Sequence, residues 1–262
     1  MELEAGDIRR TYNEFTAPLL MFILMAQPDL NILSEQLETG DLVGRKLALA
    51  ALRDVPAEHA VPLIKKVLND KNDQVRSMAI FALGLKPLAE CFDLLVDIME
   101  NDPDYGIRAD AAGALGYLED PRAFDPLVKA LNEDVDWLVR FSAAVSLGNL
   151  KNPKAHGVLI EALNSSEVVI QQAAIAALGE IRDLEAVDNI LNFAQAEDWL
   201  VRQRLAEALG NLPTKKSLSA LRYLAKDDHS QVAEAARLSL KRLETLDLEE
   251  STEESTVENS PT

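Results

Sequence analysis

One phrase returns about every 31 residues along this chain: an apolar residue, an arginine, then a run of small residues ending in Leu-Gly. It stands at Val75-Arg76, Ile107-Arg108, Val139-Arg140 and Val201-Arg202, and eight residues after each arginine comes Gly84, Gly116, Gly148 or Gly210. Gly179 fills the same place in a copy that carries Gln171 instead of arginine. A unit this short cannot bury its own apolar face, so it must stack on copies of itself. The period predicts an array rather than a single closed core, with function on the long surface of the stack.

Seven copies follow from the arginine column: Arg45, Arg76, Arg108, Arg140, Gln171, Arg202 and Ala233. Within a copy the apolar residues step by three and four, which is helical spacing. The arginine-bearing helix, for example Trp137 to Leu150, comes first, and a second helix such as Pro153 to Leu163 follows. Asp120-Pro121 and Asn152-Pro153 mark the start of second helices: an N-cap, then a proline where its missing N–H costs nothing. Asp41, Asp104, Asp136, Glu167 and Asp198 stand four residues before the arginine position, where each can cap the first helix or favour its dipole. The glycine column lies in a last helical turn, where it costs about 1 kcal/mol relative to alanine. Close approach of the neighbouring helix is the expected reason for it. The fold class is therefore all-α, a right-handed solenoid of about seven short helical hairpins.

Three segments are expected. Residues 1–27 lack the phrase and hold a run, Pro18 to Met25, that is apolar all round, as suits an N-terminal capping helix; a dimer or partner contact is the alternative. Residues 28–243 form the solenoid, beginning with a second-type helix around Leu30, Leu33 and Leu37. Residues 244–262 are acidic, rich in Ser and Thr, and expected to be disordered.

Composition narrows the function. The chain is 48% apolar but only 5% aromatic, so alanine and leucine carry the core. The net charge of −18 repels phosphate backbones and argues against a nucleic-acid partner. The longest apolar run is about half of what a membrane span needs, and the acidic start is unlike a secretory signal. A cytoplasmic protein is expected, with no transmembrane segment. Cys91 lies in an apolar helical pattern and reads as a buried, inert thiol. His59, His156 and His229 fall in different columns, and there is no paired cysteine, Gly-rich phosphate loop or nucleophile elbow. No catalytic residue, metal site or required cofactor is indicated.

Two columns remain. Arg45, Arg76, Arg108, Arg140 and Arg202, with Asp104, Asp136 and Asp198, recur at every interface and read as a structural ladder shared between adjacent turns. Tyr105, Trp137 and Trp199 share the place three before the arginine, where Leu42, Asp73, Val168 and Ser230 stand elsewhere. The fold does not demand an aromatic there, so these rings are either partner contacts or covers for the loop beneath.

The pattern D-x-x-V-R-x-x-A-A-x-A-L-G, clearest in Asp136 to Gly148 and Asp104 to Gly116, resembles the short HEAT-like repeats of the phycobilisome (phycobilin) lyase family of cyanobacteria, over about residues 28–243. Members of that family attach, isomerise or detach linear tetrapyrroles on phycobiliproteins, often as pairs of different HEAT-like chains, and related proteins act only as adaptors. The resemblance implies that the arginine-bearing helices line a concave face. It implies partner contacts at Met78 and Phe81; Tyr105, Asp110 and Tyr117; Trp137, Leu138 and Phe141; and Trp199, Leu200, Gln203 and Glu207. The expected function is a protein-interaction scaffold or helper that binds a phycobiliprotein, a second HEAT-like chain or another photosynthetic biogenesis partner. A lyase, isomerase or detaching enzyme holding a transient tetrapyrrole such as phycocyanobilin is the alternative, and an adaptor for iron-sulfur or other cofactor assembly is a third.

Overall fold

The computed structural model describes the backbone of residues 28–257 and the side chains of residues 28–245. The segment read as a capping helix, 1–27, lies outside the described residues. Fourteen α-helices account for the described chain, with no strand among them. The first-type helices, which carry the arginine column or its Gln171 and Ala233 counterparts, are α2 (Leu42–Ala51), α4 (Asp73–Gly84), α6 (Tyr105–Leu118), α8 (Trp137–Asn149), α10 (Val168–Glu180), α12 (Trp199–Leu209) and α14 (Ser230–Val257). The second-type helices are α1 (Leu30–Thr39), α3 (Ala57–Ile64), α5 (Ala89–Asn101), α7 (Phe124–Glu133), α9 (His156–Ala162), α11 (Val187–Leu191) and α13 (Lys215–Leu224).

The two sets form two layers. Each first-type helix packs along the next, from α2 through to α14, whereas consecutive second-type helices barely touch. The first layer is therefore the more closely packed, and a stack that is tighter on one side has that side as its inner, concave one.

Small residues cause the tight spacing. A Cβ at Gly84 would fall 2.8 Å from the Ala114 carbonyl oxygen, one at Gly148 would fall 2.8 Å from the Ala177 Cα, and one at Gly179 would fall 2.7 Å from the Ala208 Cα. Gly116 and Gly210 meet Ser146 and Ser239 in the same way. Each glycine offsets its poor helix propensity by admitting the neighbouring backbone. Around this column lies one continuous core of mainly leucine, isoleucine, valine and alanine, including Leu83, Leu115, Leu147, Leu178 and Leu209.

Side chains set the helix ends. Asp41, Asp104, Asp136 and Asp198 accept backbone N–H bonds of α2, α6, α8 and α12, as N-caps should. Asn72 does the same for α4. Asp120 and Asn152 cap short 3-10 turns, Pro121–Ala123 and Pro153–Ala155, that lead into α7 and α9. The residue just before each of these caps, Glu119 or Lys151, takes a left-handed backbone, as does Arg182 before Asp183. None is glycine, so each carries a cost of roughly 1 kcal/mol that the stacked repeats sustain.

Two features lay outside the periodicity. Lys86 is buried, and its ammonium donates to the Arg53 and Val55 carbonyls at 2.7 and 2.6 Å, tying its loop to the preceding repeat. The last helix continues past residue 243 to Val257, where composition predicts disorder. The Leu- and Glu-containing chain there extends a helix whose first turns are already anchored, and elongation carries no new nucleation cost.

Candidate functional site

The arginine column builds the edge where each second-type helix turns into the next first-type helix. Arg108 donates to both carboxylate oxygens of Asp134, Nε at 2.9 Å and Nη2 at 3.0 Å, and its Nη1 bonds the Asp102 carbonyl at 3.0 Å. Arg202 grips Asp227 in the same bidentate way, at 2.7 and 3.0 Å, and bonds the Ala196 carbonyl. Arg45 reaches Asp70 at 2.8 Å, and Arg140 reaches Glu167 at 2.8 Å. Gln171 keeps the carbonyl half of the pattern, donating to Ser165 at 2.7 Å. The arginines thus tie each repeat to the loop of the next.

Their partners form a column that the motif did not single out. Asp104, Asp136 and Asp198 face their own helices as caps; Arg76 alone approaches one of them, Asp104, at 3.9 Å. The cross-repeat carboxylates are instead Asp70, Asp134 and Asp227, two residues before each cap. Each also accepts the N–H of the cap position, from Asn72, Asp136 and His229. Their spacing of six residues from the following arginine position was the available signal. Glu167 departs from its column, pairing with Arg140 and capping nothing.

Burial alone would push the Asp134 carboxyl up, but the Arg108 guanidinium and the Asp136 N–H outweigh it and hold that carboxyl below its ordinary range. The Arg202 guanidinium holds Asp227 down likewise. Burial raises the Cys91 thiol and leaves it without exposed surface.

The concave face is a different surface. An α-helix turns about 100° per residue, so positions two before and two, five and nine after the arginine share one stripe. Phe81 and Tyr117 lie on it, 50% and 56% exposed, and their rings meet edge to face at 5.6 Å across two repeats. Asp110 is exposed on the same stripe of α6. Val43, Leu47, Val145 and Leu238 are exposed there too, and sequence reasoning missed them although the same stepping reaches them. Met78 and Phe141 are partly buried against the core and support the face from below. Leu138 and Leu200 are half-buried. Gln203 and Glu207 line a depression of about 330 Å³ between α12 and α14, but Gln203 and Arg204 already engage the Glu207 carboxylate, at 2.8 and 2.7 Å.

Tyr105, Trp137 and Trp199 do not join that stripe. They are the first residues of α6, α8 and α12, about 100° or more around the helix, at the ladder edge. Trp199 stacks flat on His229 of the next repeat, with centroids 4.1 Å apart and planes 12° apart. The predicted contacts thus divide between an inner face and an edge. Among the described residues no cluster of His, Cys, Asp or Glu is arranged to hold a metal, and no helix is long and apolar enough to cross a membrane.

Comparison with known proteins accords with this architecture. The family described as HEAT repeats matches residues 92–169 and 157–241, and a single HEAT repeat matches residues 60–85. No curated protein matches significantly. Among solved structures, the complex of CpcE and CpcF of phycocyanin lyase from Nostoc sp. PCC7120 is similar with 20% identity and a TM-score of 0.53, over 83% of this chain and 95% of that one. Kap95p, solved with RanGDP, is similar with 16% identity and a TM-score of 0.56, over 82% of this chain but only 35% of its own. Human deoxyhypusine hydroxylase aligns at 20% identity over 87% of this chain and 99% of that one, with a TM-score of 0.41. The likenesses to the lyase complex and to Kap95p are of fold. With the family match spanning more than half of the chain, and the glycine-packed helical hairpins repeating in its register, the protein belongs to the HEAT-repeat proteins.

Proposed function

We propose that this protein is a scaffold that holds a protein partner against its concave face, the partner being a phycobiliprotein subunit or another component of photosynthetic biogenesis. The Phe81–Tyr117 pair carries the reading. Two large rings, each at least half exposed, meet edge to face across a repeat boundary on the solvent side of the core, where a partner can reach them. Leu47 and Val145 extend them into an apolar strip across α2, α4, α6 and α8. Such a strip suits an apolar face of a partner helix. The choice of partner is supported by the Asp104–Gly116 and Asp136–Gly148 motifs, and by the likeness to a lyase made of two chains.

Size-exclusion chromatography with absorbance detection tests this, using phycobiliprotein subunits with and without chromophore, and free phycocyanobilin. Co-elution of a subunit is expected. Phe81→Ala with Tyr117→Ala is expected to weaken capture by about 2 kcal/mol or more, since central aromatic anchors dominate interface energy, while helicity stays unchanged. Full capture by the folded double variant would sink the concave-face reading. A shifted tetrapyrrole spectrum without subunit capture would move the protein to the enzymatic alternative.

A further inference from the structure

The ladder edge carries a second surface. The first residues of four consecutive inner helices, Tyr105, Trp137, Val168 and Trp199, are 54%, 47%, 41% and 36% exposed. Packed helices lie about 8–10 Å apart, so these residues form rungs at that spacing along the solenoid. A polyproline-type strand advances about 9 Å in three residues. One side chain in every three of an extended segment therefore meets one rung.

The charge of the edge selects the segment. The loops 132–136, 164–167 and 195–198 carry Glu133, Asp134, Asp136, Glu167, Glu197 and Asp198, and no lysine or arginine. The ladder arginines neutralise Asp134 and Glu167, which leaves Glu133, Asp136, Glu197 and Asp198 to set the potential. Helix N-termini oppose a cation with about half a positive charge each, but a full negative cap at α8 and α12 outweighs it. Trp199 is held flat on His229 by one face, so the ring is fixed in place while 36% of the residue stays exposed.

We infer that this edge docks an extended basic segment of a partner, in which lysine or arginine recurs at every third residue and lies over the rungs. The cations stack on Tyr105, Trp137 and Trp199, their aliphatic stems cover Val168, and the flanking carboxylates take the remaining N–H groups. This surface is separate from the concave strip and stands or falls apart from it.

Both tryptophans of the chain lie on these rungs, so intrinsic fluorescence reads the site directly. The probe is an Arg-Pro-Pro repeat peptide of about five turns, set against its Glu-Pro-Pro counterpart and an isomer with its arginines contiguous. Saturable binding of the Arg-Pro-Pro peptide with a change in tryptophan emission is expected, weakening with salt. By labelled-peptide anisotropy, Trp137→Ala with Trp199→Ala should loosen it on the order of tenfold. Trp137→Leu with Trp199→Leu keeps apolar cover over the loops and should loosen it similarly. Phe81→Ala with Tyr117→Ala should leave it unchanged. No saturable binding, equal affinity for the contiguous isomer, or wild-type affinity in a folded tryptophan variant would overturn the inference.

Discussion

Gly179→Val is expected to lower stability by about 3 kcal/mol and to split unfolding into two transitions. The glycine lies where α10 meets α12, and even the first carbon of a side chain would stand 2.7 Å from the Ala208 Cα. A backbone atom cannot turn aside as a side-chain tip can, so the two helices must separate. Overpacking of this kind costs typically 1–3 kcal/mol, sometimes more, and valine's better helix propensity recovers only about half a kcal/mol. A solenoid is held by nearest-neighbour interfaces, so loosening one uncouples the repeats on either side. Urea melts followed by circular dichroism should show the C-terminal repeats unfolding first. Gly113 is the control, since nothing stands within 4 Å of its would-be Cβ. Gly113→Ala should raise stability by about 1 kcal/mol from helix propensity alone. Equal effects at the two sites would show that close approach is not what the glycine column serves.

The second large effect belongs to the ladder. Asp134→Ala is expected to cost about 3 kcal/mol, because Arg108 would keep its charge in a site where both side chains are only 13% exposed. Removing both partners as Arg108→Met with Asp134→Leu should cost less than the sum of the single changes, by an interaction energy of about 2 kcal/mol in a double-mutant cycle. Strict additivity would mean that the pair contributes no coupling.

The same pairs predict a pH dependence. Asp134 and Asp227 titrate below the ordinary carboxylate range in the folded protein, so the unfolded chain takes up their protons first as the pH falls. Their stabilisation is complete above about pH 4, the ordinary aspartate value, and is lost as acid carries the protein down through the lower folded values. Asp134→Asn should flatten that acid limb. An acid limb identical to that of the unaltered protein would remove Asp134 from the account.

Much of the fold was legible because its devices are local or repeat at a fixed interval. The Asp104 and Asp136 caps, the prolines after Asp120 and Asn152, and the close approach at Gly148 each follow from what one or two turns of helix require. The ladder was half legible. Asp134 and Asp136 are two residues apart in one loop and chemically alike, and nothing local says which turns to its own helix and which to the arginine of the preceding repeat. The place of the aromatic residues on the surface was legible only in part, for a related reason. Periodicity put Tyr105, Trp137 and Trp199 in one column but did not say that this column sits at the edge, where a ring can lie on a histidine 30 residues onward.

The amino-acid sequence by itself determined the number and kind of the units and the interfaces that join them. A 31-residue period with an obligatory small residue leaves stacked helical hairpins as the way to bury the apolar faces. Only the tertiary structure decided which side chains remain uncovered after stacking. Exposure of Phe81, Tyr117, Trp137 or Trp199 is set by the angle and distance of the neighbouring repeat, a relation between helices that no single turn encodes. Hence the concave strip and the basic-segment edge, both assembled across repeat boundaries, emerged only when the repeats were seen side by side.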